Sequence, residues 1–385
     1  MKAYLDNSAT TKPHKSVVDI MVQAMTEFYG NPSSLHRLGV EAEKRIKSAR
    51  RQVAKAMGSK EDEIVFTSGG TESNNLAILG SVESCKKKGN HIITSKIEHP
   101  SVLQVFKNLE TKGFDVTYLD VDEYGTMDME QFKNSLCDKT ILVSIMHVNN
   151  EAGTIQPVQE INKLLRGQKE KPVLHVDAIQ SFCKIKFSPE KLGADLLSIS
   201  GHKIHGPKGV GALYVRKGTK LTPFLYGGNQ ETGMRSGTEN VPGILGLGKA
   251  AEESSSNLEQ KIDHLKLLKK RFTDLIIGEI ESVKLNGFLD DRSAPHIVNI
   301  SFLGIRGEVL LHTLEQDEIF VSTGSACSSR KNLKSHVLQA MKLSDEEIEG
   351  AVRFSFSYEN TMDEIDFAAE RIKHHVKDLR KIMKR

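Results

Sequence analysis

No stretch of this 385-residue chain is an apolar run long enough to cross a bilayer, and its 38% hydrophobic and 27% charged residues match ordinary soluble usage. Residues 1–11 lack the basic and apolar regions of a secretory signal and the features of a transit peptide, so a cytoplasmic location is expected. Charge of one sign is scarce as well. Against 53 Lys and Arg stand 50 Asp and Glu, a dispersed formal charge of +3 that gives no reason to expect nucleic acid as a partner. The four cysteines, Cys85, Cys137, Cys183 and Cys327, include no C-x-x-C pair, which disfavours a zinc cluster and a disulfide framework. They read as free thiols in a reducing compartment, the first three as small semi-buried side chains. Internal repeats and low-complexity linkers are missing too.

What is present is alternation. Short runs rich in β-branched residues recur at 63–68, 91–96, 115–120, 140–146, 173–178, 195–200 and 209–215, several separated by helix-like stretches such as 71–80 and 102–112. Strands alternating with helices mark parallel crossover units. An α/β fold is therefore expected, with a mainly parallel sheet of about seven strands covered on both faces and one edge or terminal strand antiparallel. The length favours two domains sharing an interface, with a site between them. Beyond Gly243 the texture changes: Leu258, Ile262, Leu265, Leu268, Phe272 and Leu275 trace a long amphipathic helix leading into the second domain. There 297–302 and 319–323 read as strands, and 345–351 and the stretch from Asp363 onward as helices. In the last helix Ile365, Ala369, Ile372, Val376, Leu379 and Met383 share a face opposite Lys and Arg. That is more simply a solvated face on a packed terminal helix than a basic membrane-binding one.

Open α/β sheets bind ligands beyond the carboxyl ends of their strands, and four of these ends carry chemistry. Phe66-Thr-Ser-Gly-Gly-Thr-Glu-Ser73 runs through glycines into a helix, whose first N–H groups and positive dipole end form an anion cradle. Alone it is also a good turn and cap, and its spacing is neither G-x-G-x-x-G nor that of a Walker loop. In Lys96-Ile-Glu-His-Pro100 the proline disfavours helical backbone at His99, which either fixes the imidazole at the strand's mouth or serves structure alone. The strand Val173-Leu-His-Val-Asp177 ends in an acid, most simply a helix N-cap, alternatively the partner of a protonated pyridine nitrogen. Leu197-Ser-Ile-Ser-Gly-His-Lys203 empties into a turn whose lysine is either a solvating charge or an amine poised to form a Schiff base. Zinc ligation by His202 and His205 competes, without a third ligand cluster nearby. Taken in order along one sheet, cradle, histidine, aspartate and lysine offer partners for the phosphate, ring face, nitrogen and aldehyde of pyridoxal phosphate.

On these residues the chain resembles, over essentially its whole length, the NifS/IscS-type cysteine desulfurases of the class V aminotransferase family. The resemblance is carried by Tyr4-Leu-Asp-Asn-Ser-Ala-Thr-Thr11, Gly30-Asn-Pro-Ser-Ser-Leu-His36, Thr67-Ser-Gly-Gly-Thr-Glu-Ser73 and Ser144-Ile-Met-His-Val-Asn-Asn-Glu151. The Asp177 strand, Ser200-Gly-His-Lys203, Met234-Arg-Ser-Gly-Thr238 and Ser325-Ala-Cys327 add to it. It implies a pyridoxal-phosphate-dependent transferase of fold type I, with a large α/β domain over 16–254 and a small α+β domain made of 1–15 and 255–385. It implies further that Lys203 binds the cofactor aldehyde, that His99 stacks on the ring and moves protons, and that Asp177 pairs with the pyridine nitrogen and Gln180 with the ring hydroxyl. Gly70, Thr71, Ser200 and His202 would bind the phosphate, with Thr238 reaching it from the neighbouring subunit of a homodimer. Asn150, also part of the cofactor set, and Arg353 would hold the substrate carboxylate, Arg353 in the bidentate way a guanidinium allows. The activity implied is conversion of L-cysteine to L-alanine, the sulfur passing to Cys327 as a persulfide. A protein acceptor follows, such as an iron–sulfur cluster assembly scaffold or a tRNA-thiolation enzyme, with neither nucleic acid nor a membrane as a direct partner.

Cys327 lies in a stretch, 321–335, rich in small, polar and charged residues, which reads as a loop. A thiol there beside Arg330 and Lys331 could swing from cofactor to acceptor, although by itself it could equally be incidental. One segment departs from the family pattern: Tyr226-Gly-Gly-Asn-Gln-Glu231 stands where His-Gly-Gly-Gly-Gln-Glu is expected. Asparagine tolerates left-handed backbone, so the turn should survive. Rival readings are an aminotransferase or selenocysteine lyase sharing Lys203, Asp177 and His99, and a non-catalytic sulfur-delivery scaffold.

Overall fold

The computed structural model describes residues 1–324 and 334–383. Its strands are β1 (Ala3–Tyr4), β2 (Ile64–Thr67), β3 (His91–Ser95), β4 (Asp115–Leu119), β5 (Thr140–Met146), β6 (Val173–Asp177), β7 (Leu196–Ser200), β8 (Gly211–Val215), β9 (Val283–Leu285), β10 (Ile297–Phe302), β11 (Ile319–Phe320) and β12 (Ala351–Ser355). Strands β2 to β8 form one seven-stranded sheet in the order β2-β8-β7-β6-β5-β3-β4. From β7 to β4 every neighbouring pair is parallel, and β8 runs antiparallel to both β2 and β7. The antiparallel strand is thus the last of the seven in the chain and next to the edge in space. The central strands β3, β5 and β7 are buried along their whole length; β5 reads as a near-continuous apolar run, while β3 and β7 bury small polar residues such as Thr94, Ser95 and Ser198.

Helices cover both faces. Gly70–Cys85 and Pro100–Thr111 follow β2 and β3 directly, so their first turns lie at the carboxyl edge of the sheet. Lys15–Thr26 and Arg37–Met57, which had no counterpart among the sequence expectations, pack against helix Val241–Ser255.

Besides the apolar cluster that the seven-stranded sheet shares with its covering helices, a second one forms. It joins Ala3 and Leu5 to Leu268, Phe272, Phe302, Phe354 and Ile372. Strand β10 is central in an antiparallel sheet, β12-β10-β9, while β1 pairs in parallel with β11, tying the start of the chain to residues more than 300 positions later. Helix Leu258–Glu279 follows the expected pattern. Helix Met362–Met383 buries Ile365, Ala369, Ile372 and Val376 in this cluster with Leu379 at its border, the packed arrangement of the two considered. Among the described residues no helix is long and apolar enough to cross a membrane.

Two boundaries are corrected. The helix expected over 345–351 ends at Glu349, and Ala351–Ser355 becomes a strand because it pairs with β10. Gly350 makes the junction: a Cβ there would sit 2.5 Å from the Phe302 carbonyl oxygen. The strand expected over 319–323 is regular only at Ile319–Phe320, and Ser322 makes an isolated bridge to Arg353. Of the cysteines read as semi-buried, Cys183 is buried, Cys85 half-buried and Cys137 exposed. Cys327 lies outside the described residues.

Candidate active site

The carboxyl ends of β2, β3, β5, β6 and β7 open into one cleft of about 280 Å³. The residues singled out on the strand ends converge there: Gly70 and Thr71 beyond β2, His99 beyond β3, Asn150 beyond β5, Asp177 and Gln180 at β6, and Ser200, His202 and Lys203 at β7. Arg353 enters from β12, and Ser8 and Ala9 from the segment after β1. Thr238 does not line this cleft; it borders a separate hollow with Thr67, Arg235 and Asn240.

Each side chain is placed by local structure. Gly70 opens helix Gly70–Cys85 with Gly69 as its N-cap, so the helix's positive end meets the cleft. A Cβ on Gly70 would lie 2.3 Å from Cδ1 of Ile179 and 3.5 Å from Cβ of Ser200, so a larger residue would fill this cradle. His99 is extended, φ −62° and ψ 148°, and caps helix Pro100–Thr111, as the following proline requires. Asp177 caps no helix: its Oδ1 accepts from the Ile179 N–H at 3.0 Å, closing a turn.

Lys203 donates from Nζ to the carbonyl oxygens of Ser8 at 2.6 Å and Ala9 at 2.8 Å. The same N-terminal segment holds the turn, since Thr11 donates backbone and hydroxyl hydrogens to the His202 carbonyl. Gln180 donates to Ser8 O at 2.9 Å. Arg353, 2% exposed, donates from Nη1 to Asn150 O at 2.9 Å and from Nη2 to Asp6 Oδ1 at 2.8 Å, while its buried Nε lacks a partner among the described residues. The motif over 4–11 is therefore a wall of the cleft.

The electrostatics follow from enclosure. Burial, then Lys203 and His336, pushes His99 down to about 4, so the ring is neutral near pH 7. Burial, then Lys203, Lys208 and Lys184, pushes His202 down to about 3. Burial raises the Asp177 carboxyl above its usual range, opposed by the Ile179 and Asn74 hydrogen bonds and the Lys203 charge. Glu98, fully buried beside His99, is pushed up to about 8, chiefly by burial. Its Oε1 accepts from Ser95 Oγ at 2.7 Å and Met146 N at 2.9 Å.

Sequence reasoning missed Asn74, Ser101, Glu98 and Asp6. Asn74 had a signal: it shares a helix face with Ala77, Ile78 and Ser81, all buried, so it is a polar residue on a core-facing stripe. On the competing zinc idea, the ligand-type groups that converge among the described residues are His14, His205 and Glu359, without His202.

A lysine beyond the carboxyl edge of a mainly parallel sheet, facing a buried aspartate, with a second sheet supplying an arginine, defines the helix-covered α/β class of pyridoxal-phosphate fold type I. Residues 3–367 match the family model described as Aminotransferase class-V, and the chain belongs to that family. It is 45% identical over 382 residues to a cysteine desulfurase IscS of Dictyoglomus turgidum, covering 99% of this chain and 96% of that one. With a cysteine desulfurase IscS of Methanosarcina thermophila it shares 46% identity over 377 residues, covering 98% and 92%. Among solved structures, a NifS-like protein superposes with a TM-score of 0.92 at 39% identity, covering 98% of this chain and 100% of that one. SspA in complex with cysteine superposes at 0.81 and 36%, covering 94% and 100%.

Proposed function

We propose that the chain is a pyridoxal-phosphate-dependent cysteine desulfurase, in which L-cysteine and a protein thiol give L-alanine and a protein persulfide. The observation that carries this is the meeting of Lys203, Asp177, His99 and Arg353 in one cleft of a chain 45% identical to a cysteine desulfurase. The site fits the cofactor on its own features. Gly70 keeps a cradle clear beside a helix N-terminus, Asp177 offers a buried carboxylate, and Lys203 reaches the same space.

Lys203 would hold the aldehyde, Asp177 the ring nitrogen, Gln180 the ring hydroxyl, and Gly70, Thr71, Ser200 and His202 the phosphate, with Thr238 supplied by the second subunit of a homodimer. When bound, pyridoxal phosphate supplies an electron sink that makes the α-hydrogen of an attached amino acid acidic. Lys203 Nζ takes and returns that proton. Arg353, with Asn150 beside it, fixes the substrate carboxylate and so the orientation of the α-carbon. Cys327 is the proposed acceptor: its sulfur bonds to the substrate sulfur, the substrate C–S bond breaks, and the β-carbon gains a proton to become alanine. A protein acceptor, of the iron–sulfur scaffold or tRNA-thiolation kind, then takes the sulfur. The proposed division into 16–254 and 1–15 with 255–385 is supported by the apolar cluster that Ala3 and Leu5 share with Leu265, Phe302 and Ile372, whereas Val337, Leu338, Met341 and Ile348 pack into the cluster of the large domain.

The test is an absorbance spectrum of the protein loaded with pyridoxal phosphate, followed by L-cysteine. Wild type is expected to be yellow and to change spectrum with cysteine, and Lys203→Ala to lose covalent attachment. A yellow protein whose spectrum ignores cysteine and responds to another amino acid would favour an aminotransferase.

A further inference from the structure

Asp177 stands at one end of a buried chain of hydrogen bonds whose direction is fixed. A carboxylate only accepts, so Asn74, whose Nδ2 lies 2.8 Å from Asp177 Oδ2, must turn its amide nitrogen that way. It does so although Asn74 Oδ1 is left buried without a partner. The second amide hydrogen goes to Ser101 Oγ at 2.9 Å. The Ser101 backbone N–H points at His99 Nδ1 from 3.1 Å, which makes that nitrogen an acceptor, and the Ser101 hydroxyl, 2.8 Å from the same nitrogen, can then give it its proton while accepting from Asn74. Asn74 is 0% and Ser101 9% exposed, so water does not readily substitute for either. Two donors converge on Nδ1, which leaves that nitrogen no room for a hydrogen.

We infer that Asn74 and Ser101 are positioning residues that hold His99 neutral with its proton on Nε2, so that in the resting site His99 donates a hydrogen bond and does not act as a base. This deepens the desulfurase reading and rests on it for what the donor meets. Nε2 already carries its hydrogen and Nδ1 is occupied by donors, so removal of the α-proton falls to Lys203. His99 is left to offer N–H to the ring or to the substrate sulfur. The groups acting electrostatically on the imidazole, Lys203 and His336, also oppose a positive charge on it.

The test uses the full chain loaded with pyridoxal phosphate and labelled with nitrogen-15 in histidine, the His99 signals being assigned by their loss in His99→Gln. Wild type should show a single pattern with the proton on Nε2 and no titration between about pH 6 and about pH 8. In Ser101→Ala one of the two donors is gone, and the His99 titration should move up by about one pH unit. Asn74→Leu should move it the same way, and Ser101→Thr should restore the wild-type pattern. In the same proteins kcat for alanine formation should fall about tenfold in Ser101→Ala with KM little changed. A proton on Nδ1 in wild type, or a His99 titration in Ser101→Ala indistinguishable from wild type, overturns the inference. If Asn74→Leu does not fold, Ser101→Ala decides alone. Absence of alanine from every protein would count against the desulfurase reading and leave the nitrogen-15 result standing on its own.

Discussion

Arg353, which lines the cleft, and Asp6 meet from opposite ends of the chain, Nη2 to Oδ1 at 2.8 Å, with the arginine 2% and the aspartate 19% exposed. Removing the one carboxylate paired with this guanidinium among the described residues leaves a buried group without its compensating charge. Asp6→Ala is expected to lower stability by about 2 kcal/mol, less than for a fully buried pair because water reaches the aspartate. Arg353→Ala should instead raise KM for L-cysteine by about a hundredfold, since it removes the group proposed to hold the substrate carboxylate. Urea melts and steady-state kinetics on the two variants separate the effects.

A second pair supports the segment that departs from the family pattern. Arg50 makes a two-pronged contact with Glu231, both distances 2.7 Å, and Glu231 also accepts from the Phe66 N–H at 2.9 Å. Glu231 follows Asn229, whose φ of 60° is the left-handed backbone asparagine was expected to tolerate. Arg50→Ala should cost about 3 kcal/mol by leaving the glutamate's buried carboxylate unpaired, and Glu231→Gln less, as read by thermal melts.

Glu98 gives a pH dependence with a definite sign. Its folded carboxyl is pushed from 4.5 up to about 8, so between these values the folded state holds a proton that the unfolded state has released. Stability therefore falls as pH rises through that window. Glu98→Gln keeps the oxygen that accepts from Ser95 and Met146 and cannot ionise. The variant's melting temperature should be flatter over the window and higher than wild type at its upper end. An unchanged slope would show that Glu98 is not the titrating group.

At Gly70 the added methyl of alanine would push the end of Ile179 into the cleft both residues line. Gly70→Ala should weaken retention of pyridoxal phosphate about tenfold. Gly70→Ala with Ile179→Val should recover most of it, as followed by release of the cofactor on dialysis.

How much of this was legible in the sequence depended on whether the signal was local. Residues at strand ends, His99, Asp177 and Lys203, were found because period and punctuation mark where a strand stops. Strand β12 was not. Its first residue was taken into a helix, because pairing with β10 is a tertiary choice that local propensity does not encode. Arg353 was reached only through family resemblance. The parallel pairing of Ala3 with Ile319, near which Ser8 lines the cleft and Asp6 meets Arg353, has no local mark at either end. Asn74 and Ser101 were overlooked because small polar residues near helix starts are ordinarily caps. Their meaning comes from two helices packing side by side.

The most direct test of the central claim is to give the pyridoxal-phosphate-loaded protein L-cysteine without reductant, then quantify alanine and the mass of the peptide containing Cys327. The account predicts alanine formed in step with one added sulfur on that peptide, and loss of both in Cys327→Ser. Alanine production that continues undiminished in Cys327→Ser, or none in wild type, would contradict it.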